Sequence, residues 1–409
     1  MSDQEKRIPI PREFAQSGYE PQTELLPIQH KNRELSIGIP KEITLQEKRV
    51  ALVPSSIITL IANGHRVLVE NEAGMGASFT NTDYSEAGAE IVYSPEQVYK
   101  ADVILKVAPP TVEEIEMMHP NQLLISPLQL PIITEDYINK LRQKRVIALA
   151  MEYIQDSSGA FPIVRIMSEI AGISAMHIAA QLMMTQDGGK GMLLGGISGI
   201  PSSKVVILGA GVVAENAIKV ALGLGAEVRV FDNNIYKLRR IQEQLGRNLF
   251  TSVLNPVYLE QELVQADVVI GALHSKSGRT PIIINEEMVA NMKQGAVIVD
   301  VSIDQGGCFA TSRLTTIQKP TFTKHGVIHY CVPNIASNVP RTASAAISNI
   351  LTPILLKAGS VANIERLFFS KYGLRHGVYT YKGCLTNEYL GRRFSIKYTG
   401  LDLLIGSGY

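Results

Sequence analysis

The stretch Lys204-Val-Val-Ile-Leu-Gly209-Ala-Gly211-Val-Val-Ala214 limits the possible folds of this chain more than any other. A short run of Val, Ile and Leu without polar alternation reads as a strand buried on both faces. A GxGxxA turn ends that run, and the segment that follows, ENAIKVALGLG, reads as a helix. Gly209 permits the tight turn, Gly211 lets backbone amides approach a pyrophosphate, and the small Ala214 lets helix lie close on strand. The start of such a helix offers free N–H groups and partial positive charge to phosphates. Glycine turns of this kind also serve purely structural ends.

The next strand, Val228-Arg-Val-Phe-Asp232, favours the nucleotide reading. Asp232 stands 18 residues beyond Ala214, where an acid would hold the ribose hydroxyls of NAD and repel the 2′-phosphate of NADP. The alternative for Asp232 is a cap or turn residue before Asn233-Asn-Ile-Tyr-Lys. Lys237, Arg239 and Arg240 lie close enough to tolerate an extra phosphate, and Lys237 is a candidate cofactor contact.

Around this unit the 409 residues divide into two α/β series. The first alternates strands (SIGIP, RVLVE, AEIV, ADVILKVA, QLLISPL, VIALA) with helical stretches such as PSSIITLIANG, the signature of a mostly parallel sheet. A glycine-rich bridge, residues 188–203, leads into KVVILGAG, AEVRVFD, ADVVIGA, AVIVDVS and VIHYCVPN. Beyond Pro340 a long apolar-faced helix returns the chain toward the first domain. The expected boundaries are an arm at 1–34, a discontinuous substrate domain at 35–165 plus 341–409, and an NAD-binding domain at 166–340.

The bulk properties narrow the partners. With 39 basic and 38 acidic residues and a net charge of +1, the chain carries no field suited to nucleic acid or an anionic membrane. The three cysteines, Cys308, Cys331 and Cys384, are too few and too scattered for a disulfide framework. The polar N-terminus lacks an apolar signal core, and no run reaches the ~20 apolar residues of a membrane helix. The expectation is a cytoplasmic protein with no bound metal, whose partners are small molecules or copies of itself.

The blocks IGIPKE, EKRVALVP, AGMGASFTNTDYSEAGA, MSEIAG, GAGVVAENA, VDVSIDQGGC and HYCVPNIASNVPRT, in this order over about residues 36 to 350, resemble the alanine dehydrogenase family. That family is related to the nucleotide-binding part of proton-translocating transhydrogenase. The resemblance implies two Rossmann-like domains with parallel sheets separated by an active-site cleft, NAD as cofactor, a small amino or keto acid as substrate, and a homo-oligomer, hexameric in many members. It also implies roles for single residues. Arg49 would grip the substrate carboxylate with its fork of fixed donors, where a lone arginine otherwise reads as an ion-pair partner. Asp304 would be the catalytic and nicotinamide-ribose aspartate, where it otherwise reads as a helix cap. Ser168 would be a pyrophosphate-side ligand at a helix start, and Asn334 would lie near the nicotinamide.

Two positions depart from the family pattern. Where its dehydrogenases carry a substrate-binding lysine in a motif of the form KVKEP, this chain reads Lys106-Val-Ala108-Pro-Pro110. Where their catalytic histidine stands in FLHL, this chain reads Pro127-Leu128-Gln129-Leu130. Oxidative deamination needs an acid/base near neutral pH, and neither Ala108 nor Gln129 titrates. Lys106 reads as structural, and Arg165 as either a replacement cation or a salt-bridge partner. The leading expectation is an NAD-dependent dehydrogenase of alanine or a related small amino or keto acid, with Arg49, Gln129 and Asp304 at the reacting centre. The alternatives are an NAD(H)-binding sensor or assembly protein without dehydrogenase activity, or a reductase of a bulkier imine.

Overall fold

The computed structural model describes residues 34–130, 132–275, 278–360, 368 and 372–406. The expected N-terminal arm lies outside them apart from Glu34. The first sheet is built from β1 (Ser36–Ile39), β2 (Arg66–Glu70), β3 (Glu90–Val92), β4 (Val103–Leu105), β5 (Leu123–Ser126) and β6 (Ile147–Ala150). The second is built from β7 (Lys204–Leu208), β8 (Glu227–Phe231), β9 (Phe250–Ser252), β10 (Val268–Gly271), β11 (Val297–Asp300), β12 (Thr321–Lys324) and β13 (Val327–Tyr330). After the helix Pro340–Ser360, β14 (Val378–Tyr381) and β15 (Cys384–Leu385) rejoin the first sheet.

The first sheet runs in the order β15-β14-β6-β5-β4-β1-β2-β3 and the second in the order β12-β13-β11-β10-β7-β8-β9. Pairing is parallel except for β14 on β6, β15 on β14 and β12 on β13. The chain is thus two Rossmann-like α/β domains. Their strands read as apolar runs because each sheet is covered on both faces. Val103 and Leu105 enter one core and Ile104 the opposite one, and Val205 and Ile207 likewise oppose Val206 and Leu208.

Strand order reverses once in each sheet, between β1 and β4 and between β7 and β10. Ligands of open α/β sheets bind beyond the carboxyl ends of the strands at such a switch point. The segments that carry Arg49, Ala108 and the glycine turn leave the sheets there: 40–53 after β1, 106–110 after β4 and 209–214 after β7.

Two long helices tie the halves together. Pro162–Leu182 packs on Val212–Gly223, and Gly172 makes the approach possible, since a Cβ there would stand 2.2 Å from the Val213 carbonyl oxygen. By length and hydropathy this helix passes as a membrane span, contrary to the expectation that no stretch would; its apolar length is explained by Ala175, Met176 and Ala179, all buried in the second domain's core. Helix Pro340–Ser360 returns to the first core through Ile347 and Leu351. Its Ser344 and Ser348 hydroxyls accept the Val50 and Val53 N–H groups at 2.9 and 3.1 Å, fixing the segment that carries Arg49.

Candidate active site

The nucleotide turn follows β7. Gly209 has φ +113°, and a Cβ there would lie 2.4 Å from the Ala272 carbonyl oxygen, so the turn admits no side chain. Gly211 differs: its backbone is extended, and a Cβ would meet nothing within 4 Å. It is the N-cap of helix Val212–Gly223, with no side chain capping it, so the first-turn amides face open space. Ala214 is fully buried against the sheet. Open space over uncapped amides at a helix N-terminus suits a pyrophosphate.

Asp232, at the end of β8, is buried and held by two backbone donors. Its Oδ2 accepts the Ala210 N–H at 2.8 Å and its Oδ1 accepts the Asn234 N–H at 2.7 Å. The carboxylate therefore shapes the glycine turn from beneath. The cap of helix Ile235–Leu245 is Asn234, whose Oδ1 accepts the Tyr236 and Lys237 N–H groups. Lys237 is exposed on that helix, Arg239 is paired with Glu243 at 2.7 Å, and Arg240 donates to the Ala210 carbonyl at 3.2 Å.

Asp304 lies in the 3-10 turn Val301–Gln305 after β11. Buried Asp300 anchors this turn by accepting from the Ser302 and Cys308 N–H groups and the Ser312 hydroxyl. Asp304 Oδ1 accepts the Asn334 N–H at 2.8 Å, joining the loops after β11 and β13, and Asn334 has left-handed backbone with φ +52°. Asp304 is exposed to solvent in the ligand-free chain. Enclosure by protein raises its carboxyl, while the Asn334 N–H and the charge of Arg49 pull it down.

Arg49 is buried and clamped by Glu47, Nε to Oε1 at 2.8 Å and Nη2 to Oε2 at 2.6 Å, while Nη1 lies 3.5 Å from Met167 Sδ. This bidentate pair is the ordinary ion-pair reading of Arg49. Glu47 was not singled out from the sequence, although its spacing of two from Arg49 in EKR was the available signal.

The departures from the family pattern also lie at strand ends. Lys106 is fully buried, its Nζ 3.2 Å from Glu42 Oε2 and 2.8 Å from Glu114 Oε1, which matches its structural reading. Burial raises Glu42 to about 7 against the pull of Lys106. Ala108 is fully buried too, so the place of a lysine side chain is packed over rather than left open. Gln129 is half-buried with φ +46°. Its N–H and that of Leu128 donate to Glu152 Oε1 at 3.3 and 2.8 Å. Glu152, at the end of β6, is a second residue the sequence reading passed over.

Ser168 is not at a helix start. The helix begins at Pro162, and the Ser168 hydroxyl donates back to the Val164 carbonyl at 2.8 Å, the internal bond that a mid-helix serine makes. Arg165 is exposed and pairs with Glu169 at 3.4 Å, the salt-bridge alternative. His325 and His329 share a HxxxH spacing but not a site. His325 meets Glu286 on the surface, while buried His329 uses both ring nitrogens, on Thr311 and on the Val327 carbonyl.

A parallel sheet with a glycine turn at its switch point, facing a second α/β domain that presents an arginine, is the architecture of a two-domain nicotinamide-dependent dehydrogenase. Residues 38–171 match the family described as Alanine dehydrogenase/PNT, N-terminal domain, and residues 175–388 match Alanine dehydrogenase/PNT, C-terminal domain. The chain is 41% identical to alanine dehydrogenase of Bacillus subtilis over 363 residues, covering 88% of this chain and 95% of the other. It is 38% identical to alanine dehydrogenase 2 of Staphylococcus aureus over 369 residues, covering 90% and 99%. A solved L-alanine dehydrogenase superposes with a TM-score of 0.83 at 35% identity, over 88% of this chain and 99% of that one. A transhydrogenase from Sinorhizobium meliloti shares the fold, with a TM-score of 0.75 at 24% identity, over 87% and 99%. The chain belongs to the alanine dehydrogenase/PNT family and is an NAD-dependent oxidoreductase of the alanine dehydrogenase type.

Proposed function

We propose that this protein interconverts a small amino acid and its keto acid, L-alanine and pyruvate being the leading pair, in the cleft between the two domains. The observation that carries the reading is Asp304 itself, which ties the loops after β11 and β13 together through the Asn334 N–H and feels the charge of Arg49 from the first domain. The Gly209–Ala214 turn and Asp232 would hold the cofactor, with Asn334 and Lys237 nearby and Ser168 acting only from within its helix. Bound NAD supplies the hydride acceptor. Arg49 would orient the substrate carboxylate, and Asp304 is a raised carboxyl able to exchange a proton.

The same reading takes residues 35–165 plus 341–409 as the substrate domain and 166–340 as the cofactor domain, supported by the return of β14 and β15 to the first sheet. It places the protein in the cytoplasm as a homo-oligomer, hexameric as in many relatives. Fully buried Ala108 favours a small substrate over a bulky imine.

The test is NADH oxidation by the purified protein with pyruvate and ammonium, alongside NADH binding followed by fluorescence. Turnover that Arg49→Lys lowers through a higher KM supports the reading. Tight NADH binding without turnover of any small keto acid would leave a nucleotide-binding role in its place.

A further inference from the structure

Among the described residues, Glu42 Oε2 and Glu152 Oε2 are the buried carboxylate oxygens that receive no well-aligned hydrogen bond. The first has the Lys106 ammonium 3.2 Å away. The second has no cation acting on it. A buried oxygen without a donor carries a desolvation cost. It is relieved by taking a proton or by meeting a donor that arrives with a ligand.

Glu152 sits in the 3-10 turn Met151–Tyr153, directly after β6 and beside the end of β5. Its Oε1 accepts the N–H groups of both Leu128 and Gln129, and the loop it holds places Gln129 in left-handed backbone. That loop is where the family pattern puts a histidine. We propose that Glu152 is the acid/base group of this end of the cleft, doing at the 127–130 loop what a histidine at position 129 would do. The proposal rests on the dehydrogenase reading.

The surroundings leave Glu152 as the group that titrates there. Tyr137, from helix Glu135–Gln143, and Tyr379, from β14, face it with hydroxyls 3.1 Å apart, and Tyr153 adjoins it. Burial raises all three phenols, keeping them neutral at ordinary pH. Burial also raises the Glu152 carboxyl, against the N–H donors of its own backbone, Leu128 and Gln129.

The proton balance is simple for hydrolysis of an iminium derived from the amino acid. Water adds to the iminium carbon, the C=N π pair moves to nitrogen, and the proton lost by water goes to the Glu152 carboxylate. The carboxyl then returns that proton to the amino nitrogen. The C–N bond breaks as the hydroxyl oxygen closes the C=O bond, and the hydroxyl proton leaves with ammonia as ammonium.

The test compares wild type with Glu152→Gln, which keeps Oε1 as an acceptor for both loop N–H groups. One readout is the infrared difference spectrum between the two proteins over a pH series, which isolates the Glu152 carboxyl without turnover. The other is the pH profile of kcat for pyruvate, ammonium and NADH. Expected are a protonated-carboxyl band that bleaches as pH rises, a kcat at least tenfold lower in E152Q with its pH-dependent limb flattened, and unchanged NADH affinity. Glu152→Asp, which keeps a carboxyl, retains the limb at reduced kcat and decides the matter even if E152Q folds poorly. A limb that survives in E152Q at near wild-type kcat, or one lost equally in E152D, overturns the proposal while leaving the dehydrogenase reading intact. A titrating carboxyl band in a protein that turns over no keto acid keeps Glu152 as the proton-exchanging group and removes the dehydrogenase reading instead.

Discussion

The contrast between the two turn glycines makes Gly211→Ala the most informative single substitution. A methyl at Gly211 touches nothing in the protein, and the backbone there is extended, at φ −86° and ψ −168°, which alanine adopts freely. The folding terms are small and opposed. Alanine is a poorer N-cap than glycine, while the loss of chain freedom in the unfolded state returns about 0.4–1 kcal/mol. The melting temperature of the ligand-free protein should therefore stay within about 2–4 °C of wild type. The same methyl projects into the space over the first-turn amides. If it costs a bound pyrophosphate one charge-assisted hydrogen bond, worth about 1.5–3 kcal/mol, NADH affinity falls on the order of 10- to 100-fold. Fluorescence titration of NADH, paired with a thermal melt of the ligand-free protein, reads both quantities. Wild-type NADH affinity in G211A would mean that the nucleotide does not lie over this turn and would refute the placement of the pyrophosphate at the start of helix Val212–Gly223.

The companion substitution Gly209→Ala should behave in the opposite way. It meets both a left-handed backbone and the Ala272 oxygen, so thermal melts of the ligand-free protein should show a loss of about 1–3 kcal/mol or more. Lys106→Met leaves Glu42 and Glu114 buried without their cation and should cost about 3–5 kcal/mol in denaturant unfolding at pH 8. Glu42→Gln should stabilise the protein in a pH-dependent way. The raised carboxyl contributes stability that is complete below its ordinary value of 4.5 and is lost as pH rises through about 7, so melts should show E42Q gaining on wild type above pH 7 and matching it near pH 4.5. Asp304→Asn should leave NADH affinity within a few-fold of wild type while steady-state kcat falls at least a hundredfold.

What was legible in the sequence was what is local. The strand, GxGxxA turn and helix of residues 204–223 are contiguous, and each small residue answers a constraint within a few positions of itself. The apolar runs gave the parallel strands for the same reason. Edge elements were missed: β9 and β12 are short and half-covered, and β14 with β15 lay in a tail read only as turn-rich. The Lys382-Gly383 pair between those two strands, both with positive φ, is a hairpin turn whose glycine was a usable signal. The resemblance puts Ser168 at a helix start, whereas the helix opens at Pro162, a proline at the first helical position being the start signal the sequence carries.

The candidate site was only half legible because its chemistry depends on partners distant in sequence. Arg49 could be named, but not the Glu47 carboxylate that clamps it. Asp232 could be named, but not its bonds to the Ala210 and Asn234 N–H groups, through which it shapes the glycine turn. The two losses, at 108 and 129, looked equivalent in the sequence and are not. At 108 the surroundings have closed over an alanine, so a restored lysine would have to displace packed neighbours. At 129 the loop is intact, and the carboxylate beneath it still has an unpaired oxygen. With an alanine where the family pattern has a substrate-binding lysine and a glutamine where it has a titrating histidine, a site built on the same glycine turn should differ from that pattern both in its grip on the substrate and in its pH dependence.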